Sequence, residues 1–143
     1  MIELSSKQKG NLTELQCITA FYQLGYHVSI PYGENSRYDF IADVNGKLCR
    51  IQCKTSRLDK ENCIKFSCQS TRINATKNIR CGYTDKDIDY FATSWESKCY
   101  LVPVNECSVE KKIWFQTPKN NQKVGIHYAE EYELERQLEK IRN

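Results

Sequence analysis

The sequence predicts an α/β (α+β) domain in which helices at both ends of the chain enclose a series of β-strands. Three observations predict it: helical periodicity over residues 6–24, alternating segments on both sides of an Asn-Gly dipeptide, and a helical stretch over residues 128–142. The chain has 143 residues, of which 40% are hydrophobic and 11% aromatic, which is enough to bury a core. We therefore expect one domain over residues 1–143.

The first element is a helix. Ser5 or Ser6 is expected to cap it, and Gly25 is expected to end it just after Leu24. Its apolar positions form a wide stripe of helical period that we expect to face the core. They are Leu12, Leu15, Cys17, Ile18, Phe21, Tyr22 and Leu24.

Asn45-Gly46 lies between two alternating segments, residues 37–44 and 47–54, and predicts a β-hairpin with a type I′ turn. A two-residue turn sets the strand register. Counting back from it places Asp39 opposite Gln52, with Cβ atoms about 5 Å apart.

One face of this hairpin is predicted to be apolar, because side chains alternate along a strand. The other face then carries Asp39, Gln52 and Lys54 close together. Such a face is also typical of the solvent side of a half-buried hairpin. Glu14 lies at the head of the apolar helix stripe, where a carboxylate sits at the edge of the core or pairs with a cation.

The remaining elements follow from shorter signals. Residues 70–88 are polar and predict a long loop, and residues 118–122 predict a turn. Further strands are predicted at residues 26–30, 63–69, 90–94, 99–104 and 113–115, and the closing helix at residues 128–142.

Charge is distributed unevenly. The net charge is +3, yet residues 47–80 carry nine basic and two acidic side chains. A locally basic surface suits an anionic partner, of which nucleic acid is the commonest, although a solvated lysine-rich face has the same composition.

The chain shows no membrane or export signal. No apolar run approaches the roughly 18 residues of a membrane span, and residues 1–10 are polar, so we expect no membrane partner and a cytoplasmic location. The eight cysteines lack zinc-site spacing, and we expect most of them to be small buried apolar residues.

The order and spacing of a few polar residues resemble the motif of a known family. Glu14 on the leading helix, Asp39 on a strand and Gln52-Cys53-Lys54 on the next resemble the PD-(D/E)xK nuclease superfamily, whose restriction-endonuclease-like fold is a mixed sheet with flanking helices. The match is closer to the small Q-x-K homing endonucleases of group I introns. It extends over roughly residues 8–135 and includes residues 38–43, 51–55, 88–92 and 100–103.

The resemblance implies a metal-dependent, site-specific endonuclease that hydrolyses phosphodiester bonds in double-stranded DNA. It assigns Asp39, Gln52 and Glu14 as ligands of Mg²⁺, with one or two ions per site, and Lys54 as the group beside the attacking water. Gln52 replaces an acidic ligand and adds no negative charge, so the number of ions stays open.

DNA contacts are expected from the basic third of the chain. The candidates are Arg50, Arg57, Lys60, Arg72, Lys77 and Arg80. A duplex has two strands to cut and one chain carries one site, so a homo-oligomer is expected, either a dimer or a tetramer as in the resembled branch.

Three alternatives stay open. A Holliday junction resolvase-like nuclease would have the same site and similar size. A non-catalytic DNA-binding module with a decayed site would explain Gln52. A protein-interaction domain would use Trp95, Trp114 and Phe115, which lie in or beside predicted strands and are more typical of a core.

Overall fold

The computed structural model describes residues 2–73 and 77–142. The helices are α1 (Ser6–Gln23), α2 (Ala129–Tyr132) and α3 (Leu134–Arg142), with a 3-10 turn at Val104–Glu106. The strands are β1 (His27–Ser29), β2 (Phe40–Val44), β3 (Lys47–Cys53), β4 (Arg57–Lys60), β5 (Cys63–Ser67), β6 (Gln69–Ile73), β7 (Asn78–Gly82), β8 (Tyr90–Trp95), β9 (Lys98–Pro103) and β10 (Glu110–Trp114).

A five-stranded sheet in the order β1-β2-β3-β8-β9 forms the centre of the molecule. Its pairs are antiparallel except β3 with β8, which run parallel, so the predicted mixed sheet is confirmed. A second sheet has the order β10-β5-β4, and β6 pairs with β7 alone.

Two apolar cores lie on opposite faces of the central sheet. Along β8, the side chain of Ala92 joins the core formed with helices α1 and α3, whereas its neighbour Phe91 joins the core formed with β5 and β10. Because side chains alternate along a strand, neighbouring residues of β8 contribute to the two cores on opposite faces of the sheet. Leu134 and Leu138 of α3 pack in the first core.

The β2–β3 hairpin has the register that the sequence predicts, from Val44 opposite Lys47 to Phe40 opposite Ile51. Asn45 and Gly46 have φ values of 54° and 92°, the left-handed conformation that a type I′ turn requires. Strand β2 begins at Phe40, three residues later than expected.

Helix α1 begins with a reciprocal capping box between Ser5 and Gln8. Its predicted stripe is too wide, because only part of it reaches the core. Cys17 and Phe21 are fully buried, whereas four of its apolar side chains are exposed: Leu12 (42%), Leu15 (61%), Tyr22 (68%) and Leu24 (40%).

Two other sequence expectations are wrong. The predicted loop over residues 70–88 contains most of β6 and all of β7, which form a hairpin that we call the arm (strands β6 and β7). The predicted helix over residues 128–142 is interrupted at Glu133, which takes an extended conformation between α2 and α3. Strand β4 was not expected from the sequence.

Within the described residues, no helix combines the length and apolar character needed to cross a membrane.

Candidate active site

Asp39 lies just before β2, where the hairpin register changes. The regular ladder ends at Phe40 opposite Ile51, and the Asp39 N–H donates to the same Ile51 carbonyl oxygen at 2.8 Å. The expected pairing of Asp39 with Gln52 is therefore not formed. Instead, the Asp39 carboxylate accepts a hydrogen bond of 2.8 Å from the Cys53 N–H, between the two polar residues of the Gln52–Lys54 motif.

Burial is the main influence on the Asp39 carboxyl. It raises the pKa of this group above its ordinary value, and the Cys53 N–H and the Lys54 ammonium act in the opposite direction. The structure thus brings Asp39 and Lys54 within electrostatic range of each other, as the sequence predicts.

Glu14 approaches the same place from α1. A bond of 3.1 Å between the hydroxyls of Thr13 and Thr55 attaches the helix to the segment that follows the motif. Burial and the negative charge of Asp39 raise the pKa of the Glu14 carboxyl. The Asp39 carboxylate is therefore near enough to oppose the ionisation of Glu14.

Lys54 is held at both ends. Its backbone N–H donates to Ala92 of β8 at 2.9 Å, and its Nζ donates to the Gln69 carbonyl oxygen at 2.9 Å. Burial lowers the pKa of the ammonium, and the Asp39 charge counteracts this. The Gln52 amide nitrogen lies 3.4 Å from the Cys53 carbonyl oxygen, a bond that does not use the amide oxygen.

These side chains offer the oxygen donors that a hard divalent cation prefers. The described residues contain no group of three or more His, Cys, Asp and Glu side chains able to hold a metal. Glu14 and Asp39 supply two carboxylates, and the Gln52 amide oxygen is a third donor of the same hardness. A bound cation would relieve the electrostatic cost that raises both carboxyl pKa values, so this donor set fits Mg²⁺.

Arg50 binds Asp89 and two backbone carbonyl groups of the segment before β8. Its Nε and Nη2 donate to the Asp89 carboxylate at 3.1 and 3.2 Å, and its two Nη atoms also donate to the carbonyl oxygens of Lys86 and Asp85. The backbone N–H of Arg50 donates to Asp89 as well. Most of the Arg50 guanidinium donors therefore bind groups of the protein itself, which favours a structural role over a DNA contact.

Arg57 and Arg80 converge on one cleft of about 360 Å³. Gln69, whose carbonyl oxygen binds Lys54, lines the same cleft, so the basic surface connects with the catalytic candidates. Lys60 lines a different cleft with Trp114.

Two further candidates lie elsewhere in the basic third. Lys77 is exposed just before β7 begins. The Arg72 side chain lies outside the described residues, although its backbone belongs to β6.

Arg37 and Tyr83 are the residues near Lys54 that sequence reasoning missed. The Arg37 guanidinium lies 4.0 Å from the centre of the Tyr83 ring, and the Lys54 Nζ lies 5.3 Å from it. No local pattern indicates this contact, because the three residues come from distant parts of the chain.

Comparison with known proteins supports the assignment that the motif indicates. Residues 4–135 match the family described as PD-(D/E)XK endonuclease. The chain belongs to the PD-(D/E)XK endonuclease family. Among solved structures, it is similar to the bacterial homing endonuclease I-Ssp6803I, with 25% identity and a TM-score of 0.77. This similarity covers 97% of this chain and 95% of the other. No curated protein matches.

Replacing Asp39 by Asn is expected to stabilise this PD-(D/E)XK domain at pH 7 in the absence of metal. Because the pKa of Asp39 is raised in the folded protein, ionisation of this group lowers the stability of the fold. The loss begins as the pH rises above 3.8, the ordinary pKa, and is complete above the folded-state pKa. Asn keeps an oxygen for the Cys53 N–H. Urea unfolding at pH 7 and pH 3 measures the difference, which should be larger at pH 7.

The matched control is Asp85→Asn, which removes a charge from an exposed side chain. An Asp39→Asn gain that is equal at both pH values, or a loss at pH 7, would contradict the expectation.

Proposed function

We propose that this chain is a Mg²⁺-dependent, site-specific endonuclease that cuts double-stranded DNA in the manner of a homing endonuclease. The observation that carries the proposal is the position of the Asp39 carboxylate, bonded to the Cys53 N–H between Gln52 and Lys54. Membership of the family and the similarity to a bacterial homing endonuclease support it.

Each side chain then has a task in phosphodiester hydrolysis. Asp39, the Gln52 amide oxygen and Glu14 would hold the cation, which when bound would neutralise charge at the scissile phosphate and lower the pKa of water. The Lys54 ammonium lies within electrostatic range of Asp39, where it orients the attacking water and stabilises the negative charge that develops on the phosphate oxygens. Burial of Lys54 strengthens that interaction, because the local dielectric is lower than in water.

Cleavage is the decisive property of this site. Purified protein incubated with a library of plasmid inserts is expected to produce discrete cuts with Mg²⁺ and none with EDTA. Asp39→Ala and Lys54→Met should each lower the cleavage rate by a factor on the order of 10² or more, because each removes a charged group needed in the transition state. DNA binding by both variants should persist.

Asp85→Ala is the matched control and should cut at the parent rate. Mg²⁺-dependent cutting of four-way junctions without cutting of linear duplex would replace the proposal with a junction resolvase. Salt-sensitive binding without any cutting, and with no effect of Mg²⁺ or Ca²⁺ on affinity, would indicate a decayed module.

We propose that DNA contacts the cleft of Arg57 and Arg80 and the neighbouring arm. Both arginines are exposed, and their cleft includes Gln69, which also binds the catalytic candidate Lys54. Two further candidates are Lys77, which is exposed just before β7, and Arg72 of the arm.

Replacing Arg57 and Arg80 together by Gln is expected to weaken binding and its dependence on salt. If each neutralises one phosphate, the slope of log K against log salt should become shallower by about 1.8, since each released counterion contributes about 0.9. Fluorescence anisotropy at several salt concentrations measures this. The charge-matched control replaces exposed Arg136 and Lys140 of α3. An unchanged slope for the first pair would place the DNA elsewhere.

We further propose that the chain acts as a homo-oligomer, a dimer or a tetramer, because two strands must be cut. The exposed side of α1 supports this: Leu12, Leu15, Thr19 and Tyr22 repeat at the three- and four-residue spacing of a helix-pairing seam. A second copy of the same helix is the occupant that this spacing suits.

The eight free cysteines suit a reducing compartment such as the cytoplasm.

Sedimentation of the parent protein is expected to show an assembly, and Leu15→Lys should dissociate it by placing a charge in the seam. Leu48→Lys is the matched control, since Leu48 is 62% exposed on β3. A parent protein that stays monomeric with and without DNA would contradict oligomerisation, and an assembly that survives Leu15→Lys would place the interface elsewhere.

A further inference from the structure

The arm depends on contacts at its base. Its two strands pair with each other, from Gln69 opposite Gly82 to Ile73 opposite Asn78, and they form a sheet of their own. An isolated two-stranded hairpin is marginally stable in water. The orientation of the arm is therefore controlled by the groups that bind its first rung, Gln69 and Gly82.

Two cationic side chains bind that rung, one on each strand of the arm. The Lys54 Nζ donates to the Gln69 carbonyl oxygen at 2.9 Å, and the Arg37 Nη2 donates to the Gly82 carbonyl oxygen at 3.0 Å. Arg37 also donates to the Ser70 hydroxyl at 3.3 Å. In the sequence, Arg37 lies two residues before Asp39, so the arm is attached to the segments that carry the site.

Tyr83 connects the two cations. Its ring lies 4.0 Å from the Arg37 guanidinium carbon and 5.3 Å from the Lys54 Nζ, distances at which an aromatic ring attracts a positive charge. The ring also meets Phe91 edge-on, with centroids 5.2 Å apart, which fixes it against the central sheet. Asp87 pairs with Arg37 at 3.6 Å.

We propose that Arg37 and Tyr83 are positioning residues that couple the arm to Lys54, so that engagement of DNA by the arm sets the position of the Lys54 ammonium for cleavage. This inference rests on the proposed function. Movement of the arm displaces Gln69 and Gly82 together, because they form one rung. Lys54 follows through Gln69, while the Tyr83 ring limits where its ammonium can go.

The first test needs no DNA. Trace acetylation with acetic anhydride, followed by mass spectrometry, measures the reactivity of each lysine in the folded protein. Tyr83→Leu and Arg37→Lys should raise the reactivity of Lys54 several-fold. The first removes the ring beside its ammonium, and the second, which keeps a positive charge at this position, removes the guanidinium bonds to Gly82 and Ser70. Tyr83→Phe keeps the ring and should retain the parent rate.

Two lysines serve as internal references. Lys98 pairs with Glu133 away from the arm, and Lys111 is 4% exposed and bonded to Tyr132, so it reports general loosening of the fold. A rise confined to Lys54 supports the proposal. An unchanged Lys54, or a rise shared equally with Lys111, would overturn it.

The second test uses a plasmid insert that the parent protein cuts. Under single-turnover conditions, Tyr83→Leu and Arg37→Lys should slow cleavage by between about tenfold and 10²-fold, the cost of misplacing a catalytic group. The dissociation constant for the same DNA should change less than twofold, and Tyr83→Phe should cut at the parent rate. A loss of binding as large as the loss of rate would overturn the proposal. If the parent protein cuts no DNA, the proposed function fails, and the acetylation result still decides whether Arg37 and Tyr83 position Lys54.

Discussion

The register of the β2–β3 hairpin is the constraint on which the other features of this molecule depend. Two consecutive residues with positive φ, Asn45 and Gly46, set it, and the Gly46 N–H donates to the Asp43 carboxylate at 2.8 Å to close the turn. A slip of one residue would turn Cys49 and Ile51, both fully buried, toward the opposite face. The register set at the turn therefore also decides which side chains of β3 pack against α1.

The same register ends where the site begins. Beyond Phe40 the ladder stops, and Asp39 bonds to Ile51 with its N–H and to Cys53 with its carboxylate. One side chain thus replaces the next rung of the hairpin. The carboxylate lies at a strand end, where backbone groups are free to bind it and where α1 can bring Glu14 alongside.

Strand β3 is held on its other edge by charge as well as by backbone pairing. Arg50 binds Asp89 just before β8 begins, and the Lys54 N–H donates to Ala92 within it. Because β3 and β8 are parallel, no tight turn sets their register. The Arg50–Asp89 pair contributes to that alignment. Arg50 therefore stabilises the sheet, whereas its location in the most basic third of the chain suggested a DNA contact.

Local signals predicted much of this structure, and contacts between distant segments account for what was missed. The turn and the α1 cap are each encoded within a few residues. Strands β6 and β7 are polar, and their base is bound by Arg37 and Lys54 from outside the arm. Glu133 interrupts the closing helix because its backbone pairs with Tyr100 and its carboxylate binds Lys98.

For the candidate site, hairpin alternation grouped Asp39, Gln52 and Lys54, the helix stripe singled out Glu14, and the family resemblance joined Glu14 to the other three. The register change at Asp39 could not be anticipated, since it depends on a side chain that competes with a backbone partner. The contact of Tyr83 with Arg37 and Lys54 carries no periodic signal at all.

The separateness of the arm has an evolutionary consequence. Its ladder joins neither of the other two sheets, and its first rung is bound through main-chain carbonyl oxygens, which any residue provides. Substitutions along the arm can therefore accumulate without disturbing either apolar core or the carboxylates beside Cys53.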